Sequence, residues 1–364
     1  MSKPIIFSFF SGSGFLDLGF EKAGFNVAFV NEYQASFMKA YKYSREKMGL
    51  PEPEYGEYVG DINDLLNEEH KNSFLEKVQS AQKKALVGFI GGPPCPDFSV
   101  GGKNKGEHGE NGALTKSYVE VIMNFKPDFF VFENVRGLWR TKKHREFYDR
   151  MKEILSQEYD LVDRLTNCIE YGAPQDRDRI FLFGIKKSLG TDISKFPWEH
   201  AIKHDRELVF KKSSWPSTAG EQEYDATILS DWQKELTVEY WFKQNDVENH
   251  PNSKHHFVPR SGLAKFQVIK EGDVSKKSYK RLHRSRYSPT AAYGNNEVHL
   301  HPLYPRRISA AEAMAIQSLP KEFELPPTMT LTDMFKTIGN GVPFLAAKGL
   351  AQTIENFLLQ LDVK

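Results

Sequence analysis

Short apolar runs alternate with helix-forming segments through the first half of the chain, and this alternation constrains the fold most. The apolar runs read PIIFSFF, NVAFV, ALVGFI, PDFFVFE and RIFLFGI. Segments with helical periodicity lie between them, at about 15–23, 34–47, 72–84, 117–124 and 142–156. The alternation predicts an α/β fold with a doubly wound, mainly parallel sheet, in which ligands bind beyond the carboxyl ends of the strands.

The pattern changes near residue 187. From there to about residue 305 the chain is polar, is broken by Pro and Gly, and lacks strand–helix alternation. A helical pattern returns in RRISAAEAMAIQSLP, and a last amphipathic helix is expected over about 344–361. We therefore expect a second, smaller and irregular domain after the α/β domain.

Composition excludes several classes of protein. The chain of 364 residues has only two cysteines, Cys95 and Cys168, without zinc-finger spacing, so we expect neither a disulfide framework nor a metal site. Cys168 fits a buried strand residue. No long apolar stretch or signal peptide is present, which predicts a cytoplasmic protein without membrane contact. The net charge of +1 gives no overall indication of a nucleic-acid partner.

The first strand–turn–helix unit has features of a nucleotide site. Gly12 and Gly14 permit a tight turn, and Glu32 at the next strand end can accept hydrogen bonds from ribose hydroxyls. A third glycine in register and a phosphate-binding Lys are missing, which favours an adenosine compound without pyrophosphate. Asp61, at a third strand end, is either an acceptor for the adenine amino group or a helix N-cap.

Reactive side chains follow later strands. Cys95, in GGPPCPDFS, lies at a rigid turn after a strand, and Glu133 in FENV projects into the same crevice. A buried carboxylate with a raised pKa can carry a proton to a base ring. Arg177 and Arg179 share one side of an extended segment by period two, where a surface salt-bridge face is the alternative.

A basic stretch, SKKSYKRLHRSRYSP, contains no acidic residue. Interleaved aromatic residues favour nucleic-acid binding, whereas a solvated charged face is the simpler interpretation. The candidate nucleic-acid contacts in this stretch are Lys276, Lys277, Lys280, Arg281, Arg284 and Arg286.

Six motifs together resemble those of the DNA (cytosine-5) methyltransferase family. In chain order they are FSGSGFLDLGFEKAGF, GGPPCPDFS, FENV, PQDRDR, RRISAAEAMAIQSLP and IGNGVP. The resemblance runs from about Ile5 to the last helix, except for about 188–285. It implies a Rossmann-like fold, S-adenosylmethionine as cofactor with S-adenosylhomocysteine as product, and double-stranded DNA as substrate.

The resemblance also implies roles for individual residues. Cys95 matches the nucleophile, Glu133 the group that binds and protonates cytosine N3, Arg179 the contact to the cytosine carbonyl oxygen, and Arg177 a support of that pocket. The positions that match cofactor contacts are Phe10, Gly12, Gly14, Glu32, Asp61, Ile62, Pro94, Asn340 and Val342. Three positions depart from the usual family pattern: Ser8 in place of Asp, Phe15 in place of Gly, and Pro96 in place of Gln.

The resemblance further implies a division of the chain. A catalytic and cofactor-binding domain covers 1–187 and is completed by 335–364, and a target-recognition domain covers 188–334. The target base must be flipped out of the duplex. We expect the loop after Cys95 to close over it, with Ser99, Lys103 and Lys105 near phosphate, although a mobile surface loop is the alternative.

Three other functions compete with this prediction. A tRNA cytosine-5 methyltransferase would share Cys95, Glu133 and Arg179, and a DNA-binding relative without catalysis would share the fold. An NAD-dependent oxidoreductase would need the third glycine and a hydride-transfer site. We expect a restriction–modification enzyme that acts on DNA as a monomer, and a companion restriction endonuclease encoded nearby is a further partner that the resemblance allows.

Overall fold

A seven-stranded sheet forms the centre of the computed structural model, which describes residues 2–94, 110–218, 228–259, 262–276, 278–291, 293 and 298–361. The strand order is β3-β2-β1-β4-β5-β7-β6. Strand β7 is antiparallel to both β5 and β6, and the other pairs are parallel. The strands are β1 (Ile5–Phe9), β2 (Asn26–Glu32), β3 (Glu57–Val59), β4 (Val87–Gly91), β5 (Phe129–Val135), β6 (Tyr159–Asn167) and β7 (Asp178–Lys186).

Helices cover both faces of this sheet, which confirms the predicted doubly wound α/β fold. The helices of the first part are α1 (Phe15–Lys22), α2 (Ala35–Lys47), α3 (Glu68–Gln82), α4 (Glu110–Phe125), α5 (Gly137–Arg140) and α6 (Lys142–Leu155). Those of the second part are α7 (Asp231–Glu235), α8 (Val238–Gln244), α9 (Leu263–Val268), α10 (Ala310–Ile316), α11 (Leu331–Asn340) and α12 (Phe344–Leu358).

Alternate strand residues supply two cores, one on each face of the sheet. Phe7, Phe89 and Phe132 pack on one face with side chains of α3, α4 and α6. On the other face, residues such as Ile6 and Val131 pack with α1 and α12. The last helix therefore returns to the first domain, as the resemblance implied.

Two details differ from the sequence-based expectations. Strand β6 was not predicted, because its sequence, YDLVDRLTN, is neither a continuous apolar run nor a strict alternation of polar and apolar residues. Cys168 is buried as expected, but it begins a 3₁₀ turn, Cys168–Tyr171, rather than lying in a strand. Asn167 caps that turn and so ends β6 just before the cysteine.

The region after β7 is built from short helices and turns. Between residues 188 and 309, the described segments contain isolated β-bridges but no strand. Side chains of this region share a third core with α10, α11 and two residues of α1, Phe15 and Leu18. None of the helices in the described ranges is both long and apolar enough to cross a membrane.

Candidate active site

The turn after β1 contains three residues in the left-handed region of the backbone, which glycine adopts readily. Phe10, Gly12 and Gly14 all have positive φ, at 53°, 58° and 83°. Gly14 precedes the first residue of α1, and a side chain there would collide with Tyr41 and Arg45. Both conditions require glycine at this position. The turn consequently presents its backbone at the carboxyl edge of the sheet.

Glu32, at the end of β2, is hydrogen-bonded to this turn. Its carboxylate accepts from the backbone N–H of Gly12 and of Gln34, each at 2.8 Å. Burial raises the pKa of Glu32, while these bonds favour the charged form. The two bonds use one lone pair on each oxygen, so the carboxylate retains acceptor capacity.

Asp61 follows β3 and acts as a helix cap. Its Oδ1 accepts from the backbone N–H of Asn63 at 2.9 Å, at the start of the 3₁₀ helix Ile62–Leu66. The side-chain amide of Asn63 donates to the same oxygen, at 2.8 Å. The capping interpretation is therefore correct, and because both bonds use Oδ1, a role in binding a ligand through Oδ2 is compatible with it.

The C-terminal motif lies against the glycine turn. The hydroxyl oxygens of Ser13 and Thr337 are 2.7 Å apart, although 324 residues separate them in the chain. Asn340 ends α11, and Val342 is buried in the core beside α1. This packing brings the IGNGVP segment to the predicted cofactor site.

Glu133 and Arg179 form a buried ion pair where β5 and β7 meet. Arg179 Nε lies 2.6 Å from Glu133 Oε1, and both residues are buried. Burial raises the pKa of Glu133, and the positive charges of Arg179 and Arg177 oppose that change. A buried acid beside a guanidinium can bind a polar ring through one group and protonate it through the other.

The same carboxylate lies against the strand that leads to Cys95. A Cβ on Gly92 would lie 2.5 Å from Glu133 Oε2, so any larger residue there would displace this carboxylate. Gly92 follows β4, and the described chain reaches Pro94, which is half-buried. Cys95, Ser99, Lys103 and Lys105 lie outside the described residues.

Arg177 connects three parts of the chain. Its guanidinium donates to the carbonyl oxygens of Ala291 at 3.0 Å and Gly339 at 2.6 Å, and to the side chain of Gln175. Burial, and then the charge of Arg179, lower the pKa of Arg177. The surface salt-bridge alternative does not hold for Arg177, because the side chain is only 1% exposed.

The arginines of the basic stretch bond mainly within the protein. Arg281 is buried and donates to the carbonyl oxygens of Phe266, Ile269, His301 and Tyr304. Arg284 bonds both carboxylate oxygens of Glu271, and Arg286 donates to Pro216 O at 3.1 Å. Lys276 is exposed and Lys280 is half-buried, whereas Lys277 lies outside the described residues.

Sequence reasoning missed two features beside the glycine turn. Tyr33, the residue after Glu32, is 71% exposed, and an aromatic residue directly after a strand-end acid was the available signal. A buried polar cluster lies beneath the turn: the Ser8 hydroxyl donates to Asp17 at 2.7 Å, and Arg45 stacks on Tyr41 at 3.5 Å. Only folding brings the members of this cluster together, so no sequence pattern indicated it.

Together these features define an α/β protein whose sheet carries a glycine turn with Glu32 and Asp61 after β1–β3, and a buried acid–arginine pair where β5 ends and β7 begins. Within the described ranges, no group of three or more His, Cys, Asp and Glu side chains is arranged to hold a metal ion.

Comparison with known proteins assigns this protein to a family. Residues 5–356 match the C-5 cytosine-specific DNA methylases. The chain is 57% identical to the type II methyltransferase M.NmeDI of Neisseria meningitidis serogroup C over 360 residues, which cover 98% of this chain and 84% of that protein. The chain belongs to this family and is a DNA (cytosine-5) methyltransferase, which confirms the resemblance.

Solved structures agree with the fold. A prophage-encoded protein of E. coli, described as a DNA modification methyltransferase, superposes with a TM-score of 0.68 at 22% identity, covering 99% of this chain and 100% of that one. The Dnmt2 methyltransferase of S. pombe gives a TM-score of 0.60 at 14% identity, with the same coverage. At these identities the similarity concerns the fold.

Proposed function

We propose that this protein transfers the methyl group of S-adenosylmethionine to C5 of a flipped cytosine within one short double-stranded DNA sequence. We further propose that it is the modification enzyme of a type II restriction–modification system, as the name of its 57% identical relative suggests. The observation that carries the proposal is the buried Glu133–Arg179 pair, which lies against Gly92, three residues before Cys95.

The residues around the glycine turn fit this cofactor. A turn with three positive φ angles lets the backbone approach a ligand closely. Glu32 and Asp61 retain acceptor capacity at the ends of β2 and β3, where ribose hydroxyls and an adenine amino group need it. Phe10, Gly12, Gly14, Ile62, Pro94, Asn340 and Val342 complete the proposed contacts.

S-adenosylmethionine, when bound, supplies an electrophilic methyl group, but C5 of cytosine is a poor nucleophile. The Cys95 thiolate adds to C6, and the ring then carries the electron density at C5 that is needed for methyl transfer. Loss of the C5 proton to a base expels Cys95 and restores the aromatic ring.

Glu133 and Arg179 act on the charge that this addition creates. Because burial raises the pKa of Glu133, its carboxyl group holds a proton at higher pH than an exposed glutamate and can deliver it to N3. Arg179 donates to the carbonyl oxygen of the ring, where negative charge also develops. Arg177 holds this segment in place through its bonds to Ala291 and Gly339.

DNA is proposed to bind between the catalytic domain, over 1–187 with 335–364, and the target-recognition domain over 188–334. Lys276, Lys277 and Lys280, with Ser99, Lys103 and Lys105, remain the proposed contacts to the backbone. We leave Arg281, Arg284 and Arg286 out of this set, because internal carbonyls and Glu271 already engage them. The enzyme is further proposed to be cytoplasmic, to act as a monomer, and to have a companion endonuclease.

Methylation-sensitive sequencing of DNA from a host without cytosine methylation tests this function. The host would express the wild type, Cys95→Ala or Cys168→Ala, the last being the matched control because Cys168 is buried in the core. We expect modified cytosine within one short motif for the wild type and Cys168→Ala, and none for Cys95→Ala.

Unmodified DNA in cells with soluble, abundant wild type would contradict the proposal. Cytosine methylation of tRNA would then be measured in the same cells, because a tRNA enzyme would use the same nucleophile. Modification of DNA by Cys95→Ala would instead exclude Cys95 as the nucleophile.

A further inference from the structure

Arg136, which is exposed, and Arg206, which is half-buried, share one carboxylate at the edge of the sheet that holds the candidate active site. Arg136 Nη1 lies 2.9 Å from Asp178 Oδ2, and Arg206 Nη2 lies 2.8 Å from Asp178 Oδ1. The side chains of Arg136 and Arg206 are 60% and 38% exposed, whereas that of Asp178 is 15% exposed. Each guanidinium uses one nitrogen on the carboxylate, which leaves further donors directed to solvent.

The shared carboxylate and Arg136 are close in the chain to the Glu133–Arg179 pair. Asp178 lies between Arg177 and Arg179, at the start of β7, and Arg136 follows Glu133 by three residues. Arg206 comes from the segment after β7, so the two arginines approach from different parts of the chain. Because side chains alternate along a strand, Asp178 and Arg179 point to opposite faces at the same edge of the sheet.

Buried neighbours fix the position of the shared carboxylate. The side-chain amide of Asn167, a fully buried residue, donates to Asp178 Oδ1 at 3.0 Å and to Asp176 Oδ1 at 2.7 Å. Asp178 is therefore anchored from the end of β6 and can orient both arginines. Because the same amide also holds Asp176, two carboxylates accompany the two guanidiniums, and Arg136 is the most exposed group of the four.

The surroundings add positive charge. From Arg136 to Arg145 the chain reads RGLWRTKKHR, without an acidic residue, and Arg140, Lys142 and Lys143 are exposed. The acids on either side of Arg206 have partners of their own: Asp205 accepts from Leu208 N at 2.6 Å, and Glu207 lies within 4.0 Å of Lys211. The charge around Arg136 is thus positive, whereas Asp205 and Glu207 flank Arg206.

We infer that Arg136 and Arg206, oriented by Asp178, bind backbone phosphates of the DNA beside the flipped nucleotide. The guanidinium fork matches the geometry of a phosphate, and an arginine held by a carboxylate loses less side-chain freedom on binding. This inference rests on DNA as the substrate and adds a binding site outside the nucleophile loop and the basic stretch. Asp178 is a positioning residue for the two arginines.

Salt-dependent DNA binding tests the inference. Arg136→Gln, Arg206→Gln and the double variant would be titrated with a fluorescent DNA duplex over a range of salt concentrations. Each single variant is expected to weaken binding about tenfold at low salt. Each should also reduce the slope of log K against log salt by about 0.9, and the double variant by about 1.8.

Lys84→Gln is the matched control. The Lys84 side chain is 50% exposed and paired with Glu54. Lys84 lies just before β4, at the amino-terminal ends of the parallel strands and thus at the end of the sheet opposite the candidate active site. This substitution also removes one positive charge and one ion pair, yet it should leave the slope and the affinity unchanged. Arginine variants that behave like Lys84→Gln would overturn the inference.

Asp178→Asn separates orientation from simple charge. Removal of a negative charge beside DNA should tighten binding if the carboxylate only repels phosphate. If Asp178 orients the arginines, Asp178→Asn instead weakens binding, and tighter binding by a folded variant would contradict the inference. Arg136→Lys and Arg206→Lys, which keep the charge but lose the fork, should also weaken binding and serve if a Gln variant fails to fold.

Binding is measured without methyl transfer, so this test is independent of the proposed chemistry. Methylation by the wild type would be assayed in parallel. If the arginine substitutions leave DNA affinity and the salt slope unchanged while the wild type methylates DNA, only the phosphate site is refuted. If the substitutions weaken DNA binding but the wild type does not methylate DNA, only the proposed function is refuted.

Discussion

Two of the buried carboxylates near the carboxyl edge of the sheet, Glu133 and Asp17, differ in their partners. Glu133 is paired with Arg179 in the pocket. Asp17, beneath the glycine turn, accepts from Ser8, while its second oxygen is buried without a hydrogen bond among the described residues. Burial raises the pKa of both groups, because a charged carboxylate loses its hydration in the interior. In the pocket this effect supports the proposed proton transfer by Glu133, whereas beneath the turn we expect it to make stability depend on pH.

Asp17→Asn should change this dependence. A carboxyl group whose pKa is raised by folding contributes stability below its unfolded pKa and loses that contribution as the pH rises through its folded pKa. The free energy of unfolding of the wild type, relative to Asp17→Asn, should therefore fall as the pH rises from about 4, the unfolded pKa, toward the raised folded pKa. Urea unfolding of both proteins across this range measures the difference.

Asp231→Asn is the control for this experiment, because its carboxylate is 97% exposed. It should show little change with pH relative to the wild type. A wild type that gains stability over Asp17→Asn as the pH rises would mean that the charges of Arg45 and the wider cluster outweigh burial at Asp17.

At the scale of elements, α12 packs closely against α1 on one face of the sheet. A Cβ on Gly19, in the middle of α1, would lie 2.5 Å from Ala347 Cβ and 2.6 Å from Lys348 N. Gly349, two residues after Ala347 in α12, lies equally close to the ring of Tyr171. Small residues at the contact, such as Gly19 and Ala347, therefore determine how closely α12 packs against α1. The side-chain ridges of one helix must fit into the grooves of the other.

Gly19→Ala should destabilise the protein although alanine favours helix. The added methyl group meets helix backbone that cannot move aside, and such overpacking costs about 1 to 3 kcal/mol of unfolding free energy. Chemical unfolding measures this loss. Ala347→Gly in the Gly19→Ala background removes one of the clashing atoms and should restore part of the stability.

An exposed position would give the opposite result. At an open helix surface, glycine to alanine stabilises by about 0.5 to 1 kcal/mol. A stabilised Gly19→Ala variant would therefore show that α12 does not pack against Gly19 as described.

At the scale of the whole molecule, Arg177 and Gln175 link the catalytic sheet to the later part of the chain. Arg177 bonds Ala291 and Gly339, and the Gln175 side chain bonds Ala291 N and Gln317. Both residues are buried, so these carbonyls and amides have no water to replace a lost partner. The PQDRDR motif thus supplies one residue to the pocket and two to the contact between segments.

Arg177→Lys tests this structural role. Lysine keeps the positive charge but cannot reach both carbonyl oxygens with a planar fork. We expect a loss of about 2 to 3 kcal/mol in unfolding free energy, because a buried carbonyl is left unpaired. Thermal unfolding, measured together with kcat and KM for methyl transfer, distinguishes this role from direct substrate contact. An unchanged melting temperature with a reduced kcat would assign Arg177 to the substrate instead.

The sequence by itself determined the strand–helix alternation of the first half of the chain, the glycine turn and the strand-end positions of Glu32 and Glu133. These features depend on local periodicity and on the backbone preferences of neighbouring residues. The edge strand β6 was not predicted, because its polar residues weaken the apolar signal that a central strand gives.

Only the tertiary structure decided what each charged side chain contacts. In the sequence, Arg281 and Arg136 are equivalent basic residues, yet Arg281 is buried among carbonyl oxygens and Arg136 is exposed beside Asp178. Gly92 lies against Glu133 and Arg177 bonds Gly339 for the same reason: packing brings together residues far apart in the chain. Charge and residue type are local properties, whereas burial and pairing depend on the fold as a whole.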